Sequence, residues 1–226
     1  MTDNSRMSDF LHSMEPDRDE LLSELRDYAG DNNVPIIRRE TESLIRVLLM
    51  LKKPSSILEI GAAIGYSSIA MAKASGADIT TIENYEKRIP LARDNIMRSG
   101  LGDRIRLLPE EAGTVLKRFR EEKRHFDMVF LDAAKAQYIV WLPDILEIMG
   151  PGALLVADNV LQEQTVLESR YTVSRRERTT HERMREFLYA VKHHDRLESC
   201  ILNVGDGVSL SVMTAEDRAE TEEYEQ

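Results

Sequence analysis

The chain is expected to fold as an α/β domain built on a mostly parallel sheet with helices on both faces. Short apolar runs recur along it, and amphipathic stretches separate most of them, which is the alternation a parallel sheet with crossover helices produces. At 226 residues, 42% hydrophobic and 31% charged, the chain is long enough to bury one such core and too short for two comfortable ones. No segment repeats at a fixed period.

The elements follow in order. Residues 1 to about 52 read as an N-terminal helical part of the same domain, ending in the apolar, amphipathic stretch "LIRVLLMLKK", which suits a core or a homodimer contact equally well. A homodimer is the expectation. The core region, about 53–214, carries strands near 56–60, 78–83, 104–108, 126–131, 152–157, 196–203 and 207–213, with helices between most of them. Between the last two, Gly205-Asp206-Gly207 links β-rich runs without room for a helix, so a hairpin and an antiparallel closing strand are expected. The ending "AEDRAETEEYEQ", about 215–226, reads as a solvated, frayed acidic tail.

Composition excludes several classes. A formal net charge of −10 argues against a protein that coats nucleic acid non-specifically, though not against a local basic patch. Cys200 is the only cysteine, so no internal disulfide forms and a reducing cytoplasm is expected. The opening "MTDNSRMSDFLHSMEPDRDE" lacks the apolar core of a signal peptide, and no stretch approaches membrane-spanning length.

The chemistry is expected at the strand ends, because ligands of open α/β sheets bind outside the carboxyl ends of the strands. "SSILEIGAAIGYSS" passes from an apolar strand through Gly61 and Gly65 to a helix starting near Tyr66. Its Ala63 stands where a dinucleotide fingerprint needs its middle glycine, which weakens a reading as an NAD-dependent dehydrogenase. Glu59 just before the turn would repel a pyrophosphate and welcome a cationic ligand such as S-adenosylmethionine. Glu83 ends the second strand about 20 residues beyond the glycine turn, where it either accepts from ribose hydroxyls or serves as a helix cap.

Asp132 ends the strand of "FDMVFLDAAKAQY", and Asp158 with Asn159 ends that of "GALLVADNV". On neighbouring strands about 5 Å apart these side chains converge. Two carboxylates and an amide suit Mg²⁺ or Ca²⁺ better than Zn²⁺, although each residue alone is a common turn or cap residue. Lys135, one turn beyond Asp132, would have its ammonium disfavoured beside a dication and could then act as a general base; otherwise it is a solvated lysine at a helix start. Tyr66, Trp141 and Tyr171 are the aromatics available to stack on a base, with packing the expected fate of the first two.

Taken together, "LEIGAAIGYSS", "TIE", "FLDAAK" and "ADNV" resemble, in order and spacing, the cation-dependent S-adenosylmethionine O-methyltransferases that include the catechol and caffeoyl-coenzyme A enzymes. The resemblance runs from about residue 30 to 213. It implies a seven-stranded Rossmann-like sheet with its last strand antiparallel. It also implies cofactor contacts from Ile37, Gly61, Ser67, Glu83, the Glu111–Ala112 backbone and Asp132, Mg²⁺ held by Asp132, Asp158 and Asn159, and Lys135 as the base. Ala133 and Ala134 depart from the larger aromatic residues usual around a catechol and suggest a more open mouth.

The segment after Asn159 carries Arg170, Arg175, Arg176, Arg178, Arg183 and Arg185. This insertion and the ending "VGDGVSLSV" resemble the bacterial tRNA 5-hydroxyuridine methyltransferases, which implies a tRNA anticodon loop as partner, held through Arg175, Arg176 and Arg178. Read from spacing alone, the same arginines fit an exposed helix that pairs them with Glu177, Glu182 and Glu186. On this resemblance the expected reaction is methylation of wobble 5-hydroxyuridine to 5-methoxyuridine. The competing readings are methylation of a small catechol-like phenol and a binding protein without turnover.

Overall fold

The computed structural model describes residues 4–16, 19–169 and 171–215. Arg170 and all but the first residue of the expected acidic tail lie outside them. Seven strands form one sheet: β1 (Ser56–Ile60), β2 (Asp78–Ile82), β3 (Ile105–Leu108), β4 (Phe126–Leu131), β5 (Met149–Asp158), β6 (Leu197–Leu202) and β7 (Val208–Met213), in the order β3-β2-β1-β4-β5-β7-β6. The first five pair in parallel, and β7 runs antiparallel to both β5 and β6. The expected hairpin forms, but its second strand inserts between β5 and β6 and leaves β6 at the edge. Burial explains the choice. Val208, Ser209, Ser211 and Met213 of β7 are buried, whereas Glu198, Cys200 and Ile201 of β6 are exposed.

Eight α-helices are described: α1 (Asn4–Ser13), α2 (Glu20–Asp31), α3 (Arg39–Lys52), α4 (Tyr66–Ser75), α5 (Ile89–Arg98), α6 (Ala112–Glu121), α7 (Tyr138–Glu147) and α8 (Arg178–His193). Their ends follow local chemistry. Asp19 caps α2 by accepting from the Leu22 amide at 3.0 Å, and Glu111 caps α6 by accepting from the Thr114 amide at 2.8 Å, each satisfying an orphan N–H of a first turn.

Two apolar clusters flank the sheet. Leu22, Leu25 and Ala29 of α2 and Ile45 and Leu49 of α3 join Ile57, Ile69 and Phe130 on one face. Leu116, Phe119, Trp141, Ile145, Met184 and Phe187 pack on Leu58, Val129 and Leu155 on the other. The "LIRVLLMLKK" stretch is buried along one side and exposed along the other. Its Ile45 and Leu49 are buried, while Val47, Met50 and Leu51 are 55%, 71% and 76% exposed. Among the described residues no helix is long and apolar enough to cross a membrane.

The strand order reverses direction between β1 and β4, which opens a crevice at their carboxyl ends. Gly61 lies there with φ +109°, and a Cβ on it would come within 2.1 Å of the Asp132 carbonyl oxygen. Only glycine lets the two strand ends approach so closely.

Candidate active site

A cavity of about 390 Å³ occupies that crevice. Gly61, Ala63, Glu83, Ala112, Asp132, Lys135 and Asn159 line it, together with Pro35, Tyr85, Arg88, Glu110, Ala133, Ala134 and Trp141. Glu83 is 8% exposed and held from both sides. Its Oε2 accepts from the Ala63 amide at 2.8 Å and its Oε1 from the Tyr85 amide at 2.8 Å. Each oxygen keeps a further lone pair for a ligand hydroxyl. Ala63 makes its contact from φ +47°, a left-handed conformation at the position where a dinucleotide fingerprint carries glycine.

Four residues expected near the cofactor are not among those that line this cavity. Ile37 is 2% exposed in the core and does not line the cavity; Pro35 does. Ser67, 6% exposed in the first turn of α4, gives its side chain to a hydrogen bond with Glu59. The Glu111 side chain is taken up by the α6 cap, so its neighbours Glu110 and Ala112 line the wall. Glu59 does not line the cavity: it is fully buried and accepts from the Ser68 and Thr81 hydroxyls. Burial raises its pKa to about 7, against the lowering effect of the Ser67, Ser68 and Thr81 hydroxyls and with a smaller push from Asp132. The negative charge facing the cavity comes instead from Glu83, Glu110 and Asp132.

At the far end, Asp132, Asp158 and Asn159 converge as expected of adjacent strand ends. Lys135 Nζ donates to Asp132 Oδ1 at 3.0 Å, to Asn159 Oδ1 at 2.8 Å and to the Tyr138 hydroxyl at 3.1 Å. Asp158 is fully buried. Its Oδ1 accepts from the Asn159 amide at 2.8 Å and from the Thr41 hydroxyl at 3.3 Å, while its Oδ2 has no partner among the described residues. Burial, and then the nearby Asp132 carboxylate, raise the Asp158 pKa to about 6.

An orphaned buried carboxylate oxygen beside a second carboxylate and an amide oxygen is what a hard divalent cation would satisfy. The donor set fits Mg²⁺, although the described residues contain no group of three or more His, Cys, Asp or Glu side chains suited to a metal. The Lys135 ammonium bridges Asp132 and Asn159. Burial works to lower its pKa, but the Tyr138 hydroxyl and the Asp132 carboxylate outweigh that and raise it.

Two residues here escaped the reading by strand ends. Tyr138 lies three residues past Lys135 in "DAAKAQY"; its hydroxyl donates to the Leu131 carbonyl and accepts from Lys135. Thr41 is 117 residues from Asp158, so no local signal connects them. Of the arginines, Arg178 donates to the Val173 carbonyl, Arg183 to the Ala136 carbonyl and Arg185 to the Val166 carbonyl. Arg175 and Arg176 are exposed in the turn before α8.

The family model described as O-methyltransferase matches residues 12–214. The chain belongs to this family. It is 35% identical over 131 residues to a catechol O-methyltransferase of Niastella koreensis, a match spanning 57% of this chain and 59% of that enzyme. It is 30% identical to a caffeoyl-CoA O-methyltransferase of Petroselinum crispum over 88% of this chain and 86% of that one. Among solved structures, an O-methyltransferase from Bacillus cereus in complex with SAH superimposes with a TM-score of 0.81 at 26% identity, covering 92% of this methyltransferase and 97% of that chain.

Proposed function

We propose that this O-methyltransferase transfers the methyl group of S-adenosylmethionine, with Mg²⁺, to one of two vicinal oxygens on a planar ring, and that the ring is 5-hydroxyuridine at the wobble position of tRNA. The observation that carries the reaction is the joining, in one crevice, of Glu83 at the donor end to Asp132, Lys135 and Asn159 at the other.

Glu83 would hold the ribose hydroxyls of the donor, and the Gly61–Ala63 turn would bring its backbone against the cofactor. Asp132, Asp158 and Asn159 would hold Mg²⁺, which when bound supplies the charge that acidifies the acceptor hydroxyl and disfavours the neighbouring ammonium. Lys135 then receives the hydroxyl proton at Nζ, and Tyr138 keeps that nitrogen in place. The acceptor oxygen forms its bond to the methyl carbon as the carbon–sulfur bond breaks, leaving the neutral thioether. The walls contribute alignment of the two reactants.

Exposed Arg175 and Arg176, and the small Ala133 and Ala134 at the mouth, support an RNA acceptor, since a splayed anticodon-loop base is reachable and its phosphates suit guanidinium groups. A second reading, a free catechol or a caffeoyl thioester, is favoured by the likeness to catechol and caffeoyl-CoA enzymes. The reading includes a homodimer, for which exposed Val47, Met50 and Leu51 of α3 offer an apolar face; sedimentation velocity tests it.

The deciding experiment is methyl transfer from labelled S-adenosylmethionine to tRNA bearing 5-hydroxyuridine, to catechol and to caffeoyl-CoA, each with Mg²⁺ and with chelator. Transfer to tRNA that chelator abolishes is expected. Transfer to the phenols alone would discard the RNA substrate, and transfer undiminished by chelator would discard the cation.

A further inference from the structure

A second cavity, of about 380 Å³, adjoins the first and shares Lys135 and Asn159 with it. Its other walls are Gln162, Thr165, Val173, Glu177, Thr180 and His181, from the segment after β5 and from α8, and Asp206 from the turn between β6 and β7. Lys135 and Asn159 thus border both cavities, as groups between a donor and an acceptor of one methyl group must.

Two of its walls carry buried polar atoms whose needs the fold leaves unmet. His181 is 3% exposed, and its Nε2 is 3.2 Å from the Glu168 carbonyl oxygen. A carbonyl only accepts, so Nε2 carries the proton of that bond, and Nδ1 is the ring nitrogen left to accept. Nδ1 is buried and has no partner among the described residues. Gln162 Nε2, a donor, is likewise buried without a partner. Gln162 also holds φ at +49° and Asn159 at +55°, a cost that non-glycine backbone bears mainly where the surroundings impose it.

α8 places His181 rigidly. Arg183 binds the Ala136 carbonyl, Met184 is fully buried, and Phe187 meets the Tyr138 ring edge-on at 5.5 Å. His181 is thus tied through one helix to the turn that carries Lys135.

We propose that this second cavity is the acceptor subsite, in which His181 Nδ1 and Gln162 Nε2 read a hydrogen-bond donor beside an acceptor on the ring. An imide presents that edge: in 5-hydroxyuridine the N3–H and its flanking carbonyls lie next to the reacting pair of oxygens, where a catechol has only C–H groups. The inference rests on the 5-hydroxyuridine reading and adds how the site would tell that ring from a phenol. A buried acceptor left unpaired by the wrong ligand discriminates far better than shape alone.

The test measures kcat/KM for tRNA bearing 5-hydroxyuridine, for the same tRNA bearing its N3-methyl derivative and for catechol, with wild-type protein, His181→Ala and Gln162→Met, in the presence of Mg²⁺. With wild-type protein, N3-methylation is expected to lower kcat/KM roughly ten- to hundredfold. His181→Ala is expected to lower the ratio of 5-hydroxyuridine to catechol by a similar factor and to shrink the N3-methyl penalty, the non-additivity that marks a direct contact. The wild-type arm needs no variant to fold. Equal use of the N3-methyl derivative, or an unchanged ratio in both variants, would overturn this inference while leaving the 5-hydroxyuridine reading standing. Transfer to catechol with none to either uridine would overturn both.

Discussion

Asp158 shows how one residue sets the terms for a site. A fully buried carboxylate whose Oδ2 has no partner among the described residues is costly unless a cation satisfies it, and the hydroxyl of Thr41 orients its other oxygen. Thr41→Val should weaken cation binding roughly ten- to hundredfold, as loss of a group that orients a metal ligand does, and the Mg²⁺ dependence of the rate measures it. Asp158→Ala should abolish turnover at any practicable Mg²⁺ concentration. Glu59 makes a separate prediction, of stability against pH. Its folded pKa of about 7 lies above its ordinary 4.5, so between those values the folded state retains a proton that the unfolded chain has lost, and stability falls as pH rises. By this linkage the full cost above pH 7 is about 3 kcal/mol, absent below about pH 4.5. Glu59→Gln should flatten that slope in urea unfolding curves at pH 5 and 8. A variant as pH-sensitive as wild type would show that Glu59 is not the group responsible.

At the scale of elements, α8 roofs the site and the turn before it faces solvent. Phe187 on α8 is fully buried against Tyr138, so Phe187→Ala should cost about 3–5 kcal/mol of stability and also loosen Lys135, visible as a fall in kcat that exceeds any change in KM. The exposed Arg175 and Arg176 precede this helix. Neutralising both should raise KM for tRNA and reduce the salt dependence of that KM by roughly one unit of slope for each lost phosphate contact, with little effect on a small phenol. An unchanged salt slope would remove these arginines from the RNA surface. Arg178, Arg183 and Arg185 each bind a backbone carbonyl, so their substitution should lower thermal stability more than salt sensitivity. Such carbonyl contacts are fixed by where loops return to the helix, and residue spacing does not record that.

For the whole molecule, the donor cavity is walled by the ends of β1, β2 and β4, by the start of α6 and by Pro35 ahead of α3. A ligand there ties the two faces of the sheet together. S-adenosylhomocysteine at about 100 times its Kd should add about 2.7 kcal/mol and raise Tm by roughly 5–10 °C in differential scanning. Because Glu83 and the Gly61 turn are independent of the Asp158 carboxylate, most of that shift should persist with chelator.

By itself the sequence determined the alternation of strands and helices, the antiparallel return after Gly205-Asp206-Gly207, and the two acids and one amide at strand ends that converge as Asp132, Asp158 and Asn159. Those are local signals: an apolar run has a period, and the residue that ends it is named by its position. Tertiary structure alone decided that Glu59 turns into the core, that β7 lies inside β6, that Thr41 reaches Asp158 across 117 residues, and that His181 and Gln162 share a wall with Lys135. Each of these depends on which face of an element is buried against which neighbour. Packing settles that only when the whole sheet and its helices close around one core.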